Sequence, residues 1–131
     1  MIQRVQSLYL LLAIFLITLA TFNLSFYDLN DQVYTAKDDL KMLFLLVSVN
    51  ILCLIALFAF KNRKLQMKLI KFAIVSELIV IIRSLMLWVL FQAQIYLMFI
   101  IFMFFIFIFL IMAYRGVRKD EDLVRSVDRI R

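Results

Sequence analysis

Two ionisable residues, Glu77 and Arg83, stand inside an otherwise apolar run from Phe72 to Phe91. A carboxyl and a guanidinium placed inside a membrane either tie helices together as a net-neutral polar network or relay protons or ions. Six residues separate them, roughly 9 Å along a helix axis, so an i,i+4 ion pair is not available. Their side chains can still meet along a groove, or be bridged by a residue on another helix or by a water. Ala73, Ser76, Glu77, Val80, Arg83, Ser84 and Leu87 fall at i, i+3, i+4, i+7, i+10, i+11 and i+14, which is one face of a helix. A charge left facing lipid costs at least about 2.5–3.5 kcal/mol, so this face is expected to point into a bundle or a hydrated cavity.

Other apolar runs offer matching polar positions. Thr18, Thr21 and Ser25 follow one face of the first run; Ser48 and Asn50, then Cys53 and Ala56, lie in the second. With the third helix counted from Phe72, Arg83 falls at the depth of Thr18, Thr21, Ser48 and Asn50, its expected neighbours. The expected intramembrane network is therefore Glu77, Arg83, Ser76, Ser84, Thr18, Thr21 and Asn50. Ser76 next to Glu77 does not make a nucleophile and base, because adjacent helix positions point about 100° apart.

Much chemistry is excluded by composition. The 131 residues include no histidine and one cysteine, Cys53. That removes an intramolecular disulfide, a Cys-x-x-Cys pair, a zinc site of usual spacing and any imidazole-dependent triad. Asp28, Asp31, Asp38 and Asp39 lack the EF-hand spacing and its glycine, while Asp38 and Asp39 suit the capping of a following helix. No catalytic, cofactor-binding or metal-ligating residue is assigned, and no enzyme is expected.

The elements that must position these residues are membrane helices. The chain is 66% apolar and 18% charged, more apolar surface than one small soluble core hides. Four runs, about 8–26, 42–60, 72–91 and 95–114, each cover roughly 28–30 Å as a helix, enough for a hydrocarbon layer. The first is too long for a signal-peptide core and leads into Tyr27 without a small-x-small site, so an uncleaved helix is expected. Only three residues, Gln92 to Gln94, join the third run to the fourth, which calls for a helical hairpin. The expected fold is an all-α antiparallel bundle of four transmembrane helices over residues 1–114, with a short amphipathic tail helix over 115–131.

Charge gives the direction. Arg4, the 61–71 loop and the tail hold twelve of the fifteen basic residues against four acids, whereas the segment from Tyr27 to Lys41 holds two lysines against four aspartates. By the positive-inside rule both termini are expected in the cytoplasm. With one glycine and no proline, the spans lack the broken helices of many transporters and the Gly-x-x-x-Gly contact of close dimers.

Helix four has no polar side chain from Leu97 to Met112, and six phenylalanines cover every side of it. It faces lipid, with Tyr96 and Tyr114 as interface anchors, or it faces a partner's helices. Lys64, Lys68 and Lys71, flanked by Leu65, Leu69 and Phe72, suit a lead-in at the level of anionic headgroups. In the tail, Leu123, Val124, Val127 and Ile130 form an apolar edge beside Arg125 and Arg129, and acids precede arginines as a helix dipole prefers. Such a helix is marginal alone and is expected to dock on the basic loop, the bilayer or a protein. Nucleic acid is not an expected partner, since acids interrupt the basic run and no aromatic residues are interleaved.

The opening MIQRVQSLYLLLA, the middle KNRKLQMKL from Lys61 to Leu69 and the closing RKDEDLVRSVDRIR from Arg118 to Arg131 carry a resemblance across the full chain. Through them the protein resembles the small bacterial membrane-protein family called domain of unknown function 4293. The resemblance implies four spans and directs attention to the cytoplasmic face; it brings no assigned activity. The expectation is a bacterial inner-membrane protein without cofactor that serves as a non-enzymatic accessory or scaffold subunit, its partners the bilayer and a membrane protein or further copies of itself. The alternative is a small oligomeric transporter or proton-coupled channel built on Glu77 and Arg83, similar to small multidrug exporters in its four helices and membrane carboxylate. It departs from them in placing that carboxylate in the third helix and in lacking glycine there.

Overall fold

A computed structural model describes the backbone of residues 2–91 and 94–130 and the side chains of 5–90 and 94–126. Four helices, α1 (Ile2–Asn23), α2 (Leu40–Phe58), α3 (Arg63–Phe91) and α4 (Leu97–Ile130), are each long and apolar enough to cross a membrane. Each buries side chains at alternating steps of four and three. The buried series are Gln6, Leu10, Ala13, Ile17, Ala20; Met42, Leu46, Val49, Cys53, Ala56; Gln66, Ile70, Ala73, Glu77, Val80, Ser84; and Phe99, Met103, Ile106, Leu110, Ala113, Val117, Asp120. This is the heptad spacing of knobs-into-holes packing. α1 packs on α2 and α4, and α3 packs on the same two, so the four seams close around one core.

Helix limits depart from the apolar runs in an instructive way. α3 begins at Arg63 rather than Phe72, where Asn62 Oδ1 accepts from Leu65 N at 3.2 Å after a 3₁₀ turn over Ala59–Lys61. Residues 115–130 form no separate tail helix; they prolong α4 to 34 residues, about 51 Å. Hydropathy marks what a bilayer can touch, whereas a helix continues for as long as its seam finds partners. Gln66 and Ile70 on α3, and Val117 and Asp120 on α4, continue that seam past the apolar runs.

α1 ends at Asn23, so Ser25 and Phe26 leave the first helix for a strand. β1 (Ser25–Leu29) and β2 (Gln32–Thr35) form an antiparallel hairpin, which corrects the all-α expectation, since a small sheet stands at one end of the helices. Asn30 and Asp31, at φ 54° and 62°, make its two-residue turn in the left-handed region those residue types tolerate. β3 (Gln94–Ile95) pairs with the other side of β1, giving the order β2-β1-β3. An irregularity in register between Ser25 and Tyr27 lets the adjacent Phe26 and Tyr27 both turn inward. The Phe26 ring, fully buried, lies 4.5 Å from that of Phe99, so the sheet closes this end of the helices with an aromatic plug.

Candidate functional site

At the hairpin end, Arg83 Nη2 donates to Asp39 Oδ2. Asp39 is also the N-cap of α2, its Oδ1 accepting from Lys41 N at 3.1 Å and Met42 N at 3.3 Å. One carboxylate therefore starts α2 and holds α3 beside it. Neither Glu77 nor the mid-depth hydroxyls are partners of Arg83. Counted from Arg63, Arg83 lies twenty residues into α3, about 30 Å, level with the beginning of α2. Beside this pair, Asp38 Oδ2 accepts from Thr35 N and Thr35 Oγ1, both at 2.8 Å, and these bonds hold its carboxyl below the ordinary aspartate range. Burial pushes the Tyr27 phenol above its ordinary value, and the nearby Asp39 charge adds to it.

The rest of the expected network separates into local pieces. Asn50 Nδ2 donates to Thr18 Oγ1 at 3.0 Å and so joins α2 to α1. Thr21 donates to Ile17 O, Ser48 to Leu45 O and Ser84 to Val80 O, each hydroxyl turning back on its own helix. Ser76 sits half-buried next to the α3 seam. Glu77 is fully buried on that seam within electrostatic reach of Cys53 on α2, and neither of its carboxyl oxygens has a hydrogen-bond partner among the described residues. An apolar groove of about 680 Å³ runs between α2 and α3, and one of about 190 Å³ between α3 and α4; Glu77 lines neither.

Opposite the hairpin lies a polar junction that sequence reasoning missed. Gln6 Nε2 of α1 donates to Asp120 Oδ2 of α4, both side chains buried, and Arg63 Nη1 of α3 donates to Asp120 O at 3.4 Å. Gly116 makes the contact possible, because a Cβ there would come within 2.6 Å of Gln6 Cγ. Gln66, also buried, lies one turn from Arg63. The three stretches that carried the family resemblance meet here. A signal existed in the spacing: Gln6 and Gln66 open the four-three series of α1 and α3, and Asp120 lies on that of α4.

Beyond Asp120 the surface is open. Leu123 and Val124 are 49% and 41% exposed. Arg125 Nε pairs with Glu121 at 3.2 Å. Val127, Arg129 and Ile130 of the expected apolar edge lie outside the residues whose side chains are described. Lys64, Lys68 and Lys71 are exposed on the first turns of α3, collinear with the rest of that helix, and Lys71 Nζ stands 5.5 Å over the Tyr114 ring. Among the described residues, no three His, Cys, Asp or Glu side chains gather where they could hold a metal ion.

Four helices of membrane-crossing length and composition, packed on shared seams, make this a multi-pass α-helical membrane protein. The family described as "Domain of unknown function (DUF4293)" matches residues 2–130, so the chain belongs to that family. Comparison with curated proteins and with solved structures finds no match.

Proposed function

We propose that the protein is a non-enzymatic accessory or scaffold subunit of a larger assembly in the inner membrane of a bacterium. In this reading the helices form an antiparallel bundle with both termini in the cytoplasm, as the short connections and the surplus of basic residues at one end favour. The observation that carries the proposal is how the polar side chains between helices are used. Arg83–Asp39, Asn50–Thr18 and Gln6–Asp120 each join two different helices, so they fasten the bundle and do not form a chain across it. The end of α4 that leaves the bundle, with Leu123 and Val124 exposed, supplies a surface for a partner.

The test is size-exclusion chromatography of the protein extracted from its own membranes in a gentle detergent. The expected result is a stoichiometric complex that dissociates in a Leu123→Ser/Val124→Ser variant while the helical content holds. A monomer carrying only lipid in both proteins overturns the proposal.

A second reading rests on Glu77, whose oxygens have no hydrogen-bond partner among the described residues and whose expected counter-ion, Arg83, is engaged with Asp39. An oligomeric proton-coupled carrier would use such a carboxyl. Proton flux into liposomes containing the protein, abolished by Glu77→Gln with stability unchanged, would replace the subunit reading with this one.

A further inference from the structure

At the turn between α2 and α3, Lys61, Arg63 and Lys64 line an open cavity of about 590 Å³ together with Phe60, Asn62 and Glu121. Three cations face one acid. That acid is already engaged with Arg125, and its side chain is only 13% exposed, so little of its charge is available to offset the three. Arg63 is held toward α4 by the Asp120 carbonyl, whereas Lys61 and Lys64 are exposed and free to close on a ligand. The cavity also lies at a defined depth. The Asp39–Arg83 pair sets α2 alongside α3 from one end, and after Lys41 no charged residue follows along α2 and the turn beyond it until Lys61, about 30 Å away. Phe60, 51% exposed, thus stands where hydrocarbon gives way to headgroups, and the three cations stand just beyond it.

From this arrangement we infer that the cavity is a binding site for the headgroup phosphate of an anionic phospholipid, with Lys61, Arg63 and Lys64 on the phosphate and Phe60 beside the acyl chains. Cations converging at headgroup depth next to an exposed aromatic ring are the chemistry that separates such a site from diffuse attraction along α3. Lys68 and Lys119, also exposed and on the same end of the molecule, are outside the cavity lining and provide the internal comparison. The inference is independent of the subunit proposal, since a lipid site serves a lone protein and a complex alike.

The test uses the full chain in phosphatidylcholine nanodiscs, with spin-labelled phosphatidylglycerol or spin-labelled phosphatidylcholine as probe. The motionally restricted fraction of each gives a relative association constant. The expected result is selectivity for phosphatidylglycerol that falls roughly tenfold or more in Lys61→Gln/Lys64→Gln and changes much less in Lys68→Gln/Lys119→Gln. Should the first double variant fail to fold, Lys64→Gln alone against Lys68→Gln alone makes the same comparison. Equal losses in the two double variants would mean diffuse attraction and overturn the site, as would the absence of any selectivity in the wild type. Inorganic phosphate forms a second arm: it is expected to leave the selectivity intact, and displacement of the labelled lipid by it would assign the cavity to a free anion instead.

Discussion

The two ends of the bundle each place a carboxylate of one helix against a donor from another, and they differ in what surrounds that contact. At the hairpin end Asp39 meets the charged Arg83 under a three-stranded sheet, with Phe26 filling the space beneath. At the other end Asp120 meets the neutral amide of Gln6 across Gly116, with no such sheet above it, and α4 runs on past the contact. The hairpin end is covered by its own sheet. The basic end satisfies only its interior and leaves Lys61, Lys64, Lys68 and Lys119 facing outward, which is why both the partner surface and the lipid site are assigned there.

The largest effect is expected at Asp39. Asp39→Ala removes a helix cap and leaves Arg83 without its partner; with Arg83 26% exposed the loss falls short of a fully buried pair, at about 3 kcal/mol in all. Asp39→Asn keeps a good cap and loses the charge, so it should lose about half as much. Thermal unfolding in detergent, followed by the fluorescence of Trp88, the one tryptophan, reads both. Equal losses would mean that the cap contributes little.

At the other end Gly116→Ala is expected to cost about 1–3 kcal/mol by driving a Cβ into Gln6. In a Gln6→Ala background the same change should become nearly neutral, because the obstructing side chain is gone. A Gly116→Ala cost that survives in that background would place the strain elsewhere on α4.

Between the ends, Glu77 has no hydrogen-bond partner among the described residues. Glu77→Met, similar in length and apolar, is expected to hold stability within about 1 kcal/mol or raise it. A loss of several kcal/mol would reveal a bond to Glu77 that the structure lacks.

The smallest effect is expected from acid. The Thr35 hydrogen bonds depress the Asp38 carboxyl, so its contribution to the hairpin end is full above the ordinary aspartate range and is lost as pH falls through the lower folded value. The protection of the Thr35 amide, its hydrogen exchange relative to the unfolded-peptide rate at the same pH, should fall there in the wild type and be low at every pH in Asp38→Ala. Protection independent of pH would mean that Asp38 does not hold the Thr35 amide.

What could be read in the sequence followed from contrast between residue types. Polar residues on an apolar background disclosed the inward face of α3, and Ala73, Glu77, Val80 and Ser84 are buried there as the spacing requires. On α4 the contrast is missing: Phe99 is buried and Phe104 is 61% exposed, so phenylalanine on every side concealed the seam. Arg83 was assigned the wrong neighbours because hydropathy set the start of α3 at Phe72, while the Asn62 cap sets it at Arg63. The hairpin left a local trace, Asn30–Asp31 between Phe26–Tyr27 and Val33–Tyr34. Its pairing with Gln94–Ile95 joins strands far apart in the chain, and no local pattern records that.

If polar side chains fasten helix to helix in this protein, a pair of double-mutant cycles on Arg83 will detect it as coupling across helices. Arg83→Gln is combined with Asp39→Asn in one cycle and with Glu77→Gln in the other, and each variant's unfolding free energy is measured in the same detergent. The expected coupling is about 1 kcal/mol or more between positions 83 and 39 and close to none between 83 and 77. Strong coupling of 83 to 77 with none to 39 would contradict it, since the two intramembrane charges would then form one unit and the fastening of α2 to α3 by Asp39 would be lost.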